Sequence, residues 1–114
     1  MNRDFRAWID EVDALGLLKT VEGADWDEEI GAITDANSKR NKYTLLFDKV
    51  KDHPDGFRLL TGALLDSRRV ALALGLSPTL TDLELVTVLR ERMATASQKL
   101  ADYSPREVKD APVL

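Results

Sequence analysis

The stretch Tyr43 to Gly75, YTLLFDKVKDHPDGFRLLTGALLDSRRVALALG, limits the possible folds most, because it reads as strand, turn, strand and helix without a break. Tyr43, Leu45 and Phe47 alternate with Thr44, Leu46 and Asp48 at the period of a strand, and apolar residues fall on both faces. Residues 43–50 therefore predict a mostly buried strand. In the following KDHPDG, Pro54 fixes its own φ, Asp55 supports a turn and Gly56 can take φ > 0, so Phe57 to Thr61 can return as the second arm of a long-looped hairpin. Beyond Gly62, Asp66 or Ser67 offers an N-cap and VALAL runs to Gly75 ahead of Pro78. This predicts a short apolar helix over 67–75 packed on the sheet.

The flanking sequence supplies more helices. Phe5, Trp8, Ile9, Val12 and Leu15 recur at helical spacing opposite Arg6, Asp10, Glu11 and Asp13, so residues 4–15 predict an amphipathic helix ended by Gly16. LLKTV, Leu17 to Val21, is short and rich in β-formers, a further strand whose pairing partner the sequence leaves open. Asp25 to Glu28 has the form of a capping box and predicts a helix over 26–39. Asp27, Glu28 and Glu29 in its first turn and Lys39 and Arg40 at its end complement its dipole, and Trp26, Ile30 and Ile33 would face the core. Thr81 to Glu84 forms a second such box, opening the longest helix, 82–99. Its stripe runs through Leu85, Val86, Leu89, Met93, Ala96 and Leu100, with Met93 as core filler. From Tyr103 onward the chain has two prolines, scattered charge and no period, which predicts an extended connector.

These elements give an α+β domain over residues 1–102, with a small mixed or antiparallel sheet and four helices, followed by a connector over 103–114. The expected core includes Ile9, Ile33, Leu45, Phe47, Leu59 and Leu72. A chain of 114 residues fits one core.

Charge and composition exclude several functions. The formal net charge is -4, and residues 1–38 hold three basic and ten acidic side chains while the remainder holds thirteen and ten. Dispersed basic residues without interleaved aromatics do not make a nucleic-acid surface. No cysteine is present, which removes disulfides, thiolate nucleophiles and cysteine metal sites and fits a cytoplasmic protein. No stretch reaches the roughly 20 apolar residues that span a bilayer, and the N-terminus has no apolar leader core, so neither membrane anchor nor signal peptide is expected.

Candidate chemistry is sparse. His53, the single histidine, sits in the hairpin loop between Asp52 and Asp55, which favour its protonated form, but no nucleophile elbow accompanies it. The acids around Asp25 to Glu29 have a sufficient reason to be there as helix N-terminal charges rather than as a hard-metal site. Ser67, Arg68 and Arg69 at a helix start could hold a phosphate or carboxylate through free N–H and guanidinium groups. Alternatively, they are a capping serine and arginines that pair with acids across a domain contact. No glycine-rich nucleotide loop, metalloprotease motif or zinc spacing occurs. The residues themselves thus indicate no catalytic, cofactor-binding or metal-binding site.

Asp4-Phe5-Arg6, the LGLLKTV turn into a strand, LLFDKVK from Leu45 to Lys51, FRLLTG, and SRRVALALGL from Ser67 to Leu76, taken in this order, resemble the N-terminal region of UbiD-like decarboxylases. The resemblance covers nearly the whole chain, including a closing APVL similar to the family's connector toward its flavin domain. Lys49 departs from it, standing where many members carry a small polar residue. The resemblance implies reversible, non-oxidative decarboxylation of unsaturated or aromatic carboxylic acids on prenylated FMN, with Mn or Mg and K at the cofactor phosphate. It also implies that the catalytic glutamate and arginine residues and the metal-binding asparagine, histidine and glutamate lie in the downstream flavin-binding domain, so none falls within positions 1–114. The expected role is a non-catalytic N-terminal domain or small subunit that docks on a flavin-bearing catalytic region as part of an oligomer. The competing expectation is a stand-alone interaction module of the same fold with no enzymatic partner.

Overall fold

The computed structural model describes residues 4–109. The chain divides after Thr81 into two compact units. The first contains α1 (Phe5–Ala14), β1 (Leu18–Glu22), α2 (Glu29–Arg40), β2 (Thr44–Asp48), β3 (Leu59–Thr61) and α3 (Ser67–Ala73); the second contains α4 (Asp82–Gln98) and a 3-10 turn, Leu100–Tyr103. The class is α+β, as the sequence predicts.

The three strands form one mixed sheet in the order β1-β2-β3. β2 runs parallel to β1, with Val21 opposite Phe47, and antiparallel to β3, with Phe47 opposite Leu59. This supplies the partner that sequence left open: β1, α2 and β2 form a crossover unit, which a parallel pair requires. The central strand is covered on both faces. On one face Leu45 and Phe47 pack with Ala24 and Ile30; a second cluster joins Trp8 and Val12 of α1 to Leu17 and to Leu72 of α3.

Local chemistry explains most boundaries. Asp4 caps α1, its carboxylate accepting from the Ala7 N–H at 2.8 Å. At the other end Leu17 N–H donates to the Val12 carbonyl (3.1 Å) and Gly16 N–H to that of Asp13 (2.8 Å), a Schellman motif that needs the φ of +69° at Gly16. The same pair of bonds closes α3 at Gly75 and Leu76.

Several expectations are corrected. α2 starts at Glu29, not at residue 26: Asp25 Oδ1 accepts from the Asp27 N–H (3.1 Å), and the carboxylate that reaches back to the Asp25 N–H (2.7 Å) belongs to Glu29, not Glu28. A local turn through the Asp25 side chain outcompetes helical capping here, and Glu28 is left at φ +62°. Trp26 therefore lies in the turn before the helix, 62% exposed instead of in the core. β3 begins at Leu59 rather than Phe57. Leu59, expected in the core, is 46% exposed because it stands on an edge strand beyond the packed Ile30–Phe47 contact. Ile9 and Ile33 are half-buried, packed against the two clusters. Phe5 and Leu15, at the margins of the α1 stripe, are exposed.

In the second unit α4 forms over nearly the predicted span. Of its apolar stripe Leu85 is buried, but Val86 and Leu100 are exposed and Met93, predicted as core filler, is 73% exposed. A helix and one turn hold too little surface to bury a full stripe among themselves. Residues 104–109 form no regular element, apart from a bend at Lys109, and the expected connector beyond them, 110–114, lies outside the described residues.

Candidate functional site

Arg69 is 0% exposed and makes polar contacts to three segments of the first unit. Its Nε donates to Thr44 Oγ1 at 2.9 Å, and Nη2 donates to the carbonyls of Lys42 (2.8 Å) and Leu17 (3.4 Å). Nη1 lies 2.9 Å from Asp66 Oδ2, an ion pair without hydrogen-bond alignment. Thr44, itself buried, passes the chain on by donating to the Gly62 carbonyl at 2.9 Å. The planar fork of the guanidinium thus ties α3 to the entries of β1 and β2.

Asp66 holds this arrangement from below. Its Oδ1 caps α3 by accepting from the Arg69 N–H (3.1 Å), and its Oδ2 accepts from Arg68 Nη2 (2.8 Å). Burial pushes the Asp66 carboxyl up, but the Arg69 backbone bond, the Arg68 side-chain bond and both guanidinium charges outweigh it and hold the carboxyl below its ordinary range. Of the two caps the sequence offers, the structure uses Asp66, and both arginines do pair with an acid. Asp66 is the cap rather than Ser67, Arg69 is consumed internally rather than offered to an anion, and the acid that pairs with both arginines is the cap of their own helix.

His53 is exposed in the loop, its Nδ1 3.0 Å from the Lys51 carbonyl, with no nucleophile beside it among the described contacts. Asp25, from the acidic segment, pairs with Lys51 at 2.8 Å, and this hydrogen bond is the main cause holding the Asp25 carboxyl low and the Lys51 ammonium high. Lys49 bonds Glu22 at 3.1 Å, which raises its ammonium likewise. Among the described residues, no three His, Cys, Asp or Glu side chains gather to hold a metal.

The surface is more informative. Trp26, Phe57 (68% exposed) and Leu59 line one depression with Ile30, Val50, His53 and Arg58. Phe57, in the loop before β3, and Leu59, the first residue of β3, both line it, while Trp26 is presented by the turn before α2. A second groove, lined by Phe5, Trp8, Ala63, Leu64 and Leu72, lies beside α1 and α3, with Phe5 stacked on Trp8 at 5.7 Å between ring centroids. Grouped exposed aromatics mark contact surfaces. The sequence reading placed Trp26 in the core. The signal it could have used is the surrounding DWDEE, where four acids make burial of the intervening ring costly.

The model of the 3-octaprenyl-4-hydroxybenzoate carboxy-lyase N-terminal domain, UbiD_N, matches residues 9–93, spanning all three strands and the Arg69 cluster. The chain belongs to this family. The UbiD-type N-terminal domain shares its fold with a vanillic acid decarboxylase of Sedimentibacter hydroxybenzoicus solved in an open form, at a TM-score of 0.70 and 22% identity. That match covers 78% of this chain but 19% of the other, so the chain spans about a fifth of that enzyme's length. No curated protein matches the chain. No helix among the described residues is long and apolar enough to cross a membrane.

Proposed function

We propose that this chain is the non-catalytic N-terminal domain or small subunit of a UbiD-like decarboxylase, acting by docking onto the flavin-bearing region that performs the chemistry. The family match over residues 9–93 carries the reading. In this reading the holoenzyme is a cytoplasmic oligomer that decarboxylates unsaturated or aromatic carboxylic acids reversibly. Prenylated FMN, a divalent Mn or Mg and K would be held entirely by the partner region, and prenylated FMN would supply the electron sink for carbon dioxide loss. None of the catalytic, cofactor-binding or metal-binding groups falls in this chain. Residues 1–102 form the docking domain and 103–114 the connector toward the flavin region.

What this chain's own residues do is structural. Arg69, Thr44 and Asp66 fix the helix α3 against the sheet, and a rigid sheet presents exposed aromatics at a constant spacing, which lowers the entropic cost of docking. Co-expression with the flavin-bearing region tests the proposal. The reading predicts a stoichiometric complex with the flavin absorbance in the partner, and a chain without that absorbance when purified separately.

A further inference from the structure

We infer that the Trp26–Phe57–Leu59 face is the docking surface, and that its occupant is a protein surface with an apolar socket rimmed by Lys and Arg side chains. This rests on the functional reading above and adds which face is used and what chemistry meets it. A tryptophan and a phenylalanine stand mostly exposed in one depression whose floor is the buried Ile30 and the half-buried Val50. Large aromatics grouped over a packed floor have the composition of binding hot spots.

The anchor is also held in place before any partner arrives. Asp25, next to Trp26, is bonded to Lys51 across the sheet end, to the Asp27 N–H through its own side chain and to the Glu29 carboxylate through its backbone. A side chain presented by so constrained a turn loses little freedom on binding.

Charge selects the partner. The segments 25–29 and 51–58 that supply the patch carry Asp25, Asp27, Glu28, Glu29, Asp52 and Asp55 against Lys51 and Arg58. Lys51 and Asp25 neutralise each other at 2.8 Å, so five acids of these segments stand against one further cation, Arg58, which lies on the lining of the depression itself. A second copy of the chain would bring the same acids together and be repelled, whereas a basic rim would be attracted and steered.

Binding of the chain to the separately purified flavin-bearing region, measured by titration calorimetry at several salt concentrations, tests this. Trp26→Ala and Phe57→Ala should each weaken binding by about 30-fold, the size of a hot-spot loss. Asp27→Lys combined with Asp55→Lys should weaken it too and flatten its salt dependence. Phe5→Ala, in the other groove, should leave affinity unchanged, and thermal unfolding should show all four proteins folded. Variants at Trp26 and Phe57 that bind as tightly as wild type overturn this inference and leave the functional reading standing. The same holds if only the Phe5 variant loses binding, or if the chain dimerises through Trp26. A wild-type chain that does not bind the flavin-bearing region at all overturns both.

Discussion

Arg69 Nε donates to Thr44 Oγ1 at 2.9 Å inside the fold, joining a helix to a strand 25 residues earlier in the chain. Because neither side chain reaches solvent, the pair acts as an internal strut whose donors and acceptors all depend on one another. Arg69→Leu removes the donors from the Lys42 and Leu17 carbonyls and leaves Asp66 without a buried counter-charge. The expected loss is about 3 to 5 kcal/mol of folding free energy. Thr44→Val should cost about 1 to 3 kcal/mol. In a double-mutant cycle read by urea unfolding the two losses should fall well short of adding; strict additivity would mean that the contact contributes nothing.

Asp66 gives a pH dependence with a definite sign. Its folded carboxyl titrates below the ordinary value of 3.8, so the stability it contributes is fully present above that value and is lost as pH falls through the lower, folded one. Asp66→Asn keeps a capping acceptor but removes the charge, and should cost about 1.5 to 3 kcal/mol at neutral pH. The gap between the two proteins should then close on acidification below about pH 4. A gap that stays constant from neutral pH to pH 2 would contradict this.

Gly62 lies at φ +71°, and a Cβ there would stand 2.9 Å from Leu65 Cδ1 and 3.2 Å from the Tyr43 carbonyl oxygen. Its own carbonyl accepts the Thr44 hydroxyl, so a shift would propagate to the Arg69 strut. Gly62→Ala should destabilise by about 1 to 2 kcal/mol. Chemical denaturation that shows an unchanged or higher midpoint would show that the backbone there relaxes freely.

Phe47 is fully buried at the centre of the sheet, packed with Leu45, Ala24 and Ile30. Phe47→Ala should cost about 3 to 5 kcal/mol, a large share of a small domain's stability. A near-neutral melting point would be incompatible with that packing.

Much of this core was legible because its signals are local. Four successive residues of β2 are buried, and an apolar run between turn residues announces such a strand. The caps at Asp4 and Gly16 depend on neighbours within a few positions, and the sequence placed that helix within a residue at either end. Arg69 was not legible, because what decides its burial is carbonyls at Lys42 and Leu17, whose distance from it in sequence is erased only by the fold. Trp26 failed for a different reason: a capping box and a side-chain turn need the same acids, and sequence does not say which one wins. Leu59 has the alternation of a strand, yet alternation cannot tell a central position from an edge. The candidate surface was therefore hidden where local rules conflict or where sheet order decides.

The most direct measurement for the functional account is carbon dioxide release by the purified chain, by the flavin-bearing region, and by the two mixed, using an aromatic carboxylic acid as substrate. The account predicts no release and no bound flavin for the chain by itself, and a stoichiometric complex on mixing in which turnover occurs with all flavin in the partner. Turnover by the purified chain unaided would contradict it.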